Sequence, residues 1–165
     1  MAGLTDDSDA ERFAYLAEGN AKQARKRVAA DVLITDETGR VLLVDPTYKE
    51  GWDLPGGMVE ANEPPRAAAE RELREELDLE LAVGRLLHLS WIPPHGPWDD
   101  TLMFLFDGGT LDERQVAALR VTDEELRQFK FVSAGEARTM LSPHLGAQLE
   151  AALASLTKGT MFYDE

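Results

Sequence analysis

The stretch GMVEANEPPRAAAERELREELDL, residues 57–79, carries the most information about the fold of this chain. Its two prolines, Pro64 and Pro65, precede strong helix-forming residues, and proline is favoured in the first turn of a helix. Apolar residues recur at steps of four and give the helix one buried stripe, formed by Ala69, Leu73 and Leu77. The stretch therefore predicts a short loop that leads into an amphipathic helix.

Three glutamates share one face of this predicted helix. Glu72, Glu75 and Glu76 stand at positions i, i+3 and i+4, so their carboxylates project together. Like charges at this spacing destabilise a helix by about 0.2–0.5 kcal/mol per pair, whereas a solvated helix usually alternates the sign of its charges. A divalent cation reverses that repulsion, and Mg²⁺ and Mn²⁺ prefer such hard oxygen ligands. The pattern indicates a metal site.

The residues around the glutamates are suited to support such a site. Gly56 and Gly57 permit a tight backbone path and the close approach of a ligand or metal. Arg71 lies inside the glutamate run, and its planar guanidinium can orient carboxylates by bidentate pairing. Glu63 is the partner that we expect for it.

The spacing of these residues resembles the Nudix hydrolase family, whose members include the MutT-like enzymes. The family pattern is G-x5-E-x7-R-E-U-x-E-E-x-G-U, where U is a bulky aliphatic residue, and it is matched here by Gly57, Glu63, Arg71, Glu72, Leu73, Glu75, Glu76 and Leu79. One position departs from it, because Asp78 stands where the family has glycine. Since Asp tolerates a left-handed backbone better than most residues, we expect a variant helix cap there.

The rest of the chain predicts a mixed α/β domain. Apolar runs at residues 28–35 and 41–44 flank a turn that contains Gly39 and indicate a hairpin. A polar helix is predicted at 9–27, strands at 81–92, 101–106 and 126–132, and helices at 133–141 and 143–156. The resemblance implies a Nudix-type α/β/α sandwich with a mixed central sheet. We therefore expect an N-terminal helical extension over residues 1–24 and a Nudix hydrolase domain over residues 25–165.

The composition limits the classes of partner. The 31 acidic and 17 basic residues give a formal net charge of −14, which opposes binding to nucleic acid or to an anionic membrane. The chain has no cysteine, which excludes disulfides and thiolate metal sites. No apolar run approaches the roughly 18 residues of a membrane span, and the acidic start does not look like a secretory signal. These features predict a cytoplasmic protein, and the resemblance leaves a homodimer open.

The resemblance implies a Mg²⁺-dependent (or Mn²⁺-dependent) hydrolase. Its substrate would be a nucleoside diphosphate linked to another moiety, of the ADP-ribose, nucleotide-sugar or nucleoside triphosphate type, and the phosphoanhydride bond would be cleaved. Glu72, Glu75 and Glu76 would bind the metal, together with a backbone carbonyl near Gly56. Glu125 is the preferred general base, and the alternatives are Glu124, Asp99 and Asp100. The other reading is a Nudix module that senses a nucleotide without turning it over, although such relatives usually lose glutamates that are intact here.

Candidate substrate contacts are less constrained by the sequence. Trp52 and Trp98 offer aromatic faces on which a base can stack. His95 lies in a proline-rich loop from which it can reach a phosphate or ribose. Arg27 belongs to the densest basic patch of an acidic chain, and we expect it to approach a terminal phosphate.

Overall fold

Helices and strands alternate along the chain in the computed structural model, which describes residues 6–165 and the side chains of residues 8–165. The elements, in chain order, are α1 Asp6–Lys22, β1 Arg27–Asp36, β2 Val41–Pro46, β3 Gly56–Met58, α2 Pro65–Leu77, β4 Leu86–Ile92, β5 Thr101–Leu111, α3 Glu113–Ala118, β6 Leu126–Val132, α4 Ala134–Met140, α5 Pro143–Lys158 and β7 Phe162–Asp164. Within residues 6–165, no helix is long and apolar enough to cross a membrane.

The strands form one mixed sheet of seven strands in the order β6-β2-β1-β5-β4-β7, with β3 paired separately to β1. β1 runs parallel to β5, and β4 runs parallel to β7. The remaining pairs are antiparallel, including the predicted hairpin of β1 and β2. β1 is central because it pairs with β5 on one edge and with both β2 and β3 on the other.

The core lies on both faces of this sheet. Alternate residues of β1 point to opposite faces, so Val32 belongs to one buried cluster and Leu33 to the other. The first cluster includes the buried stripe of α2, and the second includes residues of α4 and α5. The predicted α/β/α sandwich with a mixed central sheet is confirmed.

Helix α2 begins and ends as its sequence predicts. Pro65 occupies the first turn, and Asp78 is the C-cap with φ 53° and ψ 35°, in the left-handed region. The Asp78 N–H donates to the carbonyl of Arg74 at 3.1 Å. The aspartate that replaces the family's glycine therefore adopts the conformation that glycine is used for, and the expected variant cap is confirmed.

Other boundaries differ from the prediction. The N-terminal helix ends at Lys22, so Arg27 is the first residue of β1 and not the end of a helix. The strand expected from residue 81 starts at Leu86, and β5 continues to Leu111. Three short elements were not predicted: β3, α3 and β7. Residues 1–5 of the expected N-terminal extension lie outside the described residues.

The turn between β1 and β2 is closed by one carboxylate. Asp36 Oδ1 accepts hydrogen bonds from the Thr38 N–H, the Thr38 hydroxyl and the Arg40 N–H, at 2.9, 2.7 and 2.9 Å. Arg40 Nε donates to Asp36 Oδ2 at 2.8 Å. Burial alone would raise the pKa of Asp36, but the hydrogen bonds from Thr38 and Arg40 outweigh it and lower the pKa to about 2.

We expect Asp36→Ala to lower the free energy of unfolding at pH 7 by about 2 kcal/mol, because the donors of Thr38 and Arg40 lose a charged acceptor. Since the folded-state pKa lies below the unfolded value, the carboxylate stabilises the parent above its ordinary pKa, and that stability is lost as the pH falls towards about 2. The difference between variant and parent should therefore shrink below pH 4. Urea unfolding of both proteins between pH 7 and pH 3 measures it, and a difference that stays constant contradicts the role given to the Asp36 charge.

Candidate active site

Arg71 organises the carboxylates of the site. Its guanidinium donates two hydrogen bonds to the Glu63 carboxylate, from Nε at 2.9 Å and from Nη2 at 3.1 Å. Nη1 donates to Glu72 at 2.8 Å and to Glu75 at 3.0 Å, and Nη2 donates to the carbonyl of Met58 at 3.1 Å. An arginine side chain has five N–H donors, so these five hydrogen bonds use its full capacity. The expected Glu63–Arg71 pair is present.

The local sequence explains this arrangement. Glu63 lies immediately before the prolines that start α2, and Arg71 lies two turns into the helix, so the loop folds back against the helix face. The hydrogen bonds from Arg71 lower the pKa of Glu63, and the same bonds raise the pKa of Arg71. Both groups are therefore held in their charged forms at neutral pH.

The carboxylate cluster consists of Glu63, Glu72, Glu75 and Glu76. Glu76 is its most buried member, with 9% of its surface exposed. Its Oε2 accepts a hydrogen bond from the Gly56 N–H at 3.3 Å. Burial raises the pKa of Glu76 to about 8, and the negative charges of Glu72, Asp123 and Asp53 add to the rise. Full ionisation of the carboxylates is therefore unfavourable in the site by itself, and a divalent metal relieves that condition.

Gly57 makes room for Glu72. A Cβ placed on Gly57 would lie 2.6 Å from the Glu72 carboxyl carbon and 2.7 and 2.9 Å from its oxygens. Burial raises the pKa of Glu72, although the contact with Arg71 opposes the rise. The glycine at this position of the family pattern thus has a direct steric reason in this chain.

The sequence prediction missed Asp31 of β1. Gly56, with φ 140°, passes so close to β1 that a Cβ on it would lie 2.3 Å from the Ala30 carbonyl oxygen and 2.7 Å from Asp31 Oδ1. Burial and the negative charges of Asp53 and Glu76 raise the pKa of Asp31 well above its ordinary value. The available signal was a single acid inside the apolar run VAADVLIT.

Glu125 approaches the cluster from the loop before β6. Its side chain is exposed. Its negative charge contributes to the raised pKa of Glu72, after the larger effects of burial and of Glu75. By contrast, Asp100 is engaged elsewhere, because it forms an ion pair with Lys26 and accepts the Trp91 indole N–H at 2.7 Å. Glu125 therefore lies near enough to Glu72 to act on its pKa.

Arg27 and Trp98 form a second group of candidate contacts. The Arg27 guanidinium lies 4.6 Å from the centre of the Trp98 ring, and it donates to the Thr101 hydroxyl at 3.1 Å. Its Nη2 also reaches the Met58 sulfur at 3.8 Å. Because the Met58 carbonyl accepts from Arg71, the Arg27–Trp98 pair adjoins the carboxylate cluster.

The other two substrate candidates lie in different surroundings. His95 is exposed at the turn before β5, where its backbone pairs with that of Trp98 and its Nδ1 lies 3.0 Å from the Pro93 carbonyl oxygen. The Trp52 side chain packs against the core cluster under α4 and α5. The structure therefore joins Arg27, Trp98 and His95 around one turn and gives Trp52 a core contact.

The carboxylate cluster fits a divalent metal by its chemistry. Within residues 8–165, no group of three or more His, Asp or Glu side chains is arranged to hold a metal ion. Arg71 contacts one carboxylate oxygen of Glu72 and one of Glu75. Their free oxygens, the buried Glu76 carboxylate and the backbone at Gly56 are hard donors with surplus negative charge, so the donor set suits Mg²⁺ or Mn²⁺.

Comparison with known proteins gives local relatives. The chain is 41% identical over 64 residues to diphosphoinositol polyphosphate phosphohydrolase 2 from Rattus norvegicus, covering 38% of this chain and 36% of that protein. It is 44% identical over 48 residues to an RNA pyrophosphohydrolase from Halorhodospira halophila, covering 29% of this chain and 26% of that protein. In both cases the match spans well under half of the relative's own length.

Comparison with solved structures extends over most of the chain. The crystal structure of a MutT protein from Methanosarcina mazei Go1 covers 81% of this chain and 99% of its own, with a TM-score of 0.69 and 22% identity. At that identity the likeness shows the fold alone. The model of the NUDIX domain matches residues 25–152, which is well over half of the chain. With this match and the fold described above, the chain belongs to the NUDIX domain family.

Proposed function

We propose that this chain is a metal-dependent pyrophosphohydrolase. It cleaves the phosphoanhydride bond of a nucleoside diphosphate linked to another moiety, such as ADP-ribose, a nucleotide sugar or a nucleoside triphosphate. The observation that carries the proposal is the Arg71 contact set, which holds Glu63, Glu72 and Glu75 beside the buried Glu76. One arginine cannot neutralise four carboxylates, so this assembly is unfavourable without a further cation.

Glu72, Glu75, Glu76 and the backbone carbonyl near Gly56 would hold the cation, which we propose to be Mg²⁺ or Mn²⁺. A bound divalent cation neutralises phosphate charge and favours attack at phosphorus. Glu76 contributes a carboxylate that burial has already removed from water. Arg71 keeps Glu72 and Glu75 from separating, so it acts as a positioning residue.

In the proposed reaction a water oxygen forms a bond to one phosphorus of the anhydride, and the bridging P–O bond breaks. The leaving phosphate takes the electron pair of that bond. The proton of the attacking water passes to Glu125, an exposed carboxylate whose charge acts on Glu72. The products are two molecules that each end in a phosphate group.

The Arg27–Trp98 pair favours a nucleotide as the substrate over a more highly charged compound. An exposed indole ring with a cation on one face can accept a base on the other. The net charge of −14 opposes long or dense polyanions, although the relatives above include enzymes named for diphosphoinositol polyphosphates and for RNA. Both classes therefore belong among the substrates to be tested.

A substrate panel tests the proposal directly. Release of phosphate-ended products would be measured with ADP-ribose, nucleotide sugars, NADH, dinucleoside polyphosphates, nucleoside triphosphates, a diphosphoinositol polyphosphate and a 5′-triphosphorylated RNA, each with Mg²⁺, Mn²⁺ or EDTA. Metal-dependent cleavage of a nucleoside diphosphate compound is the expected result. Tight nucleotide binding with no turnover would replace the proposal by a sensing module, and selective cleavage of the inositol or RNA compound would replace the substrate class.

We expect Glu76→Gln to lower kcat/KM on the best substrate by about a hundredfold or more, because it removes a buried charge from the metal site at nearly constant volume. In EDTA, the melting temperature should not fall, since Glu76 is a buried acid with no cation beside it and the glutamine oxygen can still accept the Gly56 N–H. Mg²⁺ should raise the melting temperature of the parent and not of this variant. Glu80→Gln is the matched control, because Glu80 is an exposed glutamate just after α2 that pairs with Arg74. Equal losses in both variants would contradict the role of Glu76.

We expect Trp98→Ala to raise KM about tenfold with little change in kcat, because a stacked base contributes about 1–3 kcal/mol of binding. Steady-state kinetics on the best substrate measures the effect. Tyr15→Ala removes an aromatic ring that is even more exposed, on α1, and should leave both constants unchanged. An unchanged KM in Trp98→Ala would remove Trp98 from the substrate site.

A further inference from the structure

Asp31 is a carboxylate in the middle of a buried strand. Its neighbours Ala30 and Val32 are fully buried, and Asp31 itself is only 8% exposed. Within residues 8–165, no hydrogen bond or ion pair engages its side chain, and an unpaired carboxylate at so buried a position is unfavourable. By contrast, the carboxylate of Asp36 in the same strand accepts four hydrogen bonds. A compensating cation would therefore stabilise the ionised form of Asp31.

The carboxylate of Asp31 is directed at the candidate active site. Asp31 is the register partner of Gly56, and the absent Cβ of Gly56 leaves a space 2.7 Å from Asp31 Oδ1. The Gly56 N–H donates to Glu76 Oε2 at 3.3 Å, so Asp31 and Glu76 approach the same glycine. After burial and Asp53, the negative charges of Glu76 and Glu72 contribute to the raised pKa of Asp31.

The nearby lysine does not resolve this excess of negative charge. Lys49 acts favourably on Asp31, but its ammonium group forms an ion pair with Asp53 at 2.5 Å. Asp31 thus lies within electrostatic reach of Glu72 and Glu76, and the lysine beside it is engaged by Asp53. A divalent cation is the compensating group that such oxygen donors favour.

We infer that Asp31 is a further carboxylate of the metal-binding site, contributed by the sheet opposite the glutamates of α2. The inference rests on the proposed function in that it assigns Asp31 to the cation of that same site. The inference also explains the glycine at position 56. Any side chain there would fill the space beside the Asp31 carboxylate. Asp31 thereby adds the central strand to a metal site that the family pattern places on α2.

The test measures metal binding by the full chain without any substrate. Mn²⁺ affinity would be determined by isothermal titration calorimetry and by the electron paramagnetic resonance signal of free Mn²⁺. The variants are Asp31→Asn, Glu76→Gln as the positive control, and Asp36→Asn as a matched acid of β1 outside the site. We expect Asp31→Asn to weaken Mn²⁺ binding by about tenfold or more and Asp36→Asn to leave it unchanged.

Thermal melting in EDTA separates a ligand from a structural residue. Removal of an unpaired buried charge should leave the melting temperature of Asp31→Asn equal to or above that of the parent. If Asp31→Asn does not fold, Asp31→Leu carries the same test, because leucine has a similar size and suits an apolar strand. Mn²⁺ affinity that is less than about tenfold weaker than that of the parent in a folded Asp31 variant overturns the inference.

The outcome is separable from that of the proposed function. Asp31-dependent Mn²⁺ binding in a protein that cleaves no compound of the panel would support the inference and contradict the hydrolase. Metal-dependent hydrolysis with unchanged Mn²⁺ affinity in Asp31→Asn would support the hydrolase and overturn the inference.

Discussion

The five hydrogen bonds of the Arg71 guanidinium are the interaction on which the candidate site depends. They connect the loop before α2, two carboxylates of the helix and the backbone of β3 in one contact set. Because a planar cation with five donors has a fixed geometry, it fixes the relative positions of the acids around it. The helix packs on the sheet through its apolar stripe, and Arg71 aligns its polar face with β3.

The helix and its acids were predictable because their spacing alone defines one face. The Glu63–Arg71 pair and the left-handed Asp78 also followed from local chemistry. The strands β3 and β7 were not predictable, since each has three residues and exists through pairing with a long neighbour that is distant in sequence. The capping box of α3, in which Asp112 and Gln115 exchange hydrogen bonds, was a local signal that the prediction overlooked.

The helix side of the candidate site follows from the sequence motif, and the sheet side does not. The motif specifies Glu72 and Glu76, but the neighbour of Gly56 is set by the register of β1 against β3. Asp31 is therefore brought beside Gly56 by tertiary pairing, and only its charge within an apolar run marks it in the sequence. Arg27 and Trp98 meet in the same way, because β1 and β5 begin side by side, with Arg27 paired to Thr101.

The pairing of β7 with β4 bears on how the protein behaves at high concentration. β7 is the last strand of the sheet order, and its register covers β4 from His88 to Ser90. An uncovered strand edge offers main-chain donors and acceptors to neighbouring molecules and is a common start of aggregation. Three residues near the C-terminus thus shield an edge of the sheet, and a truncation that removes them would leave β4 open to strand addition by another copy.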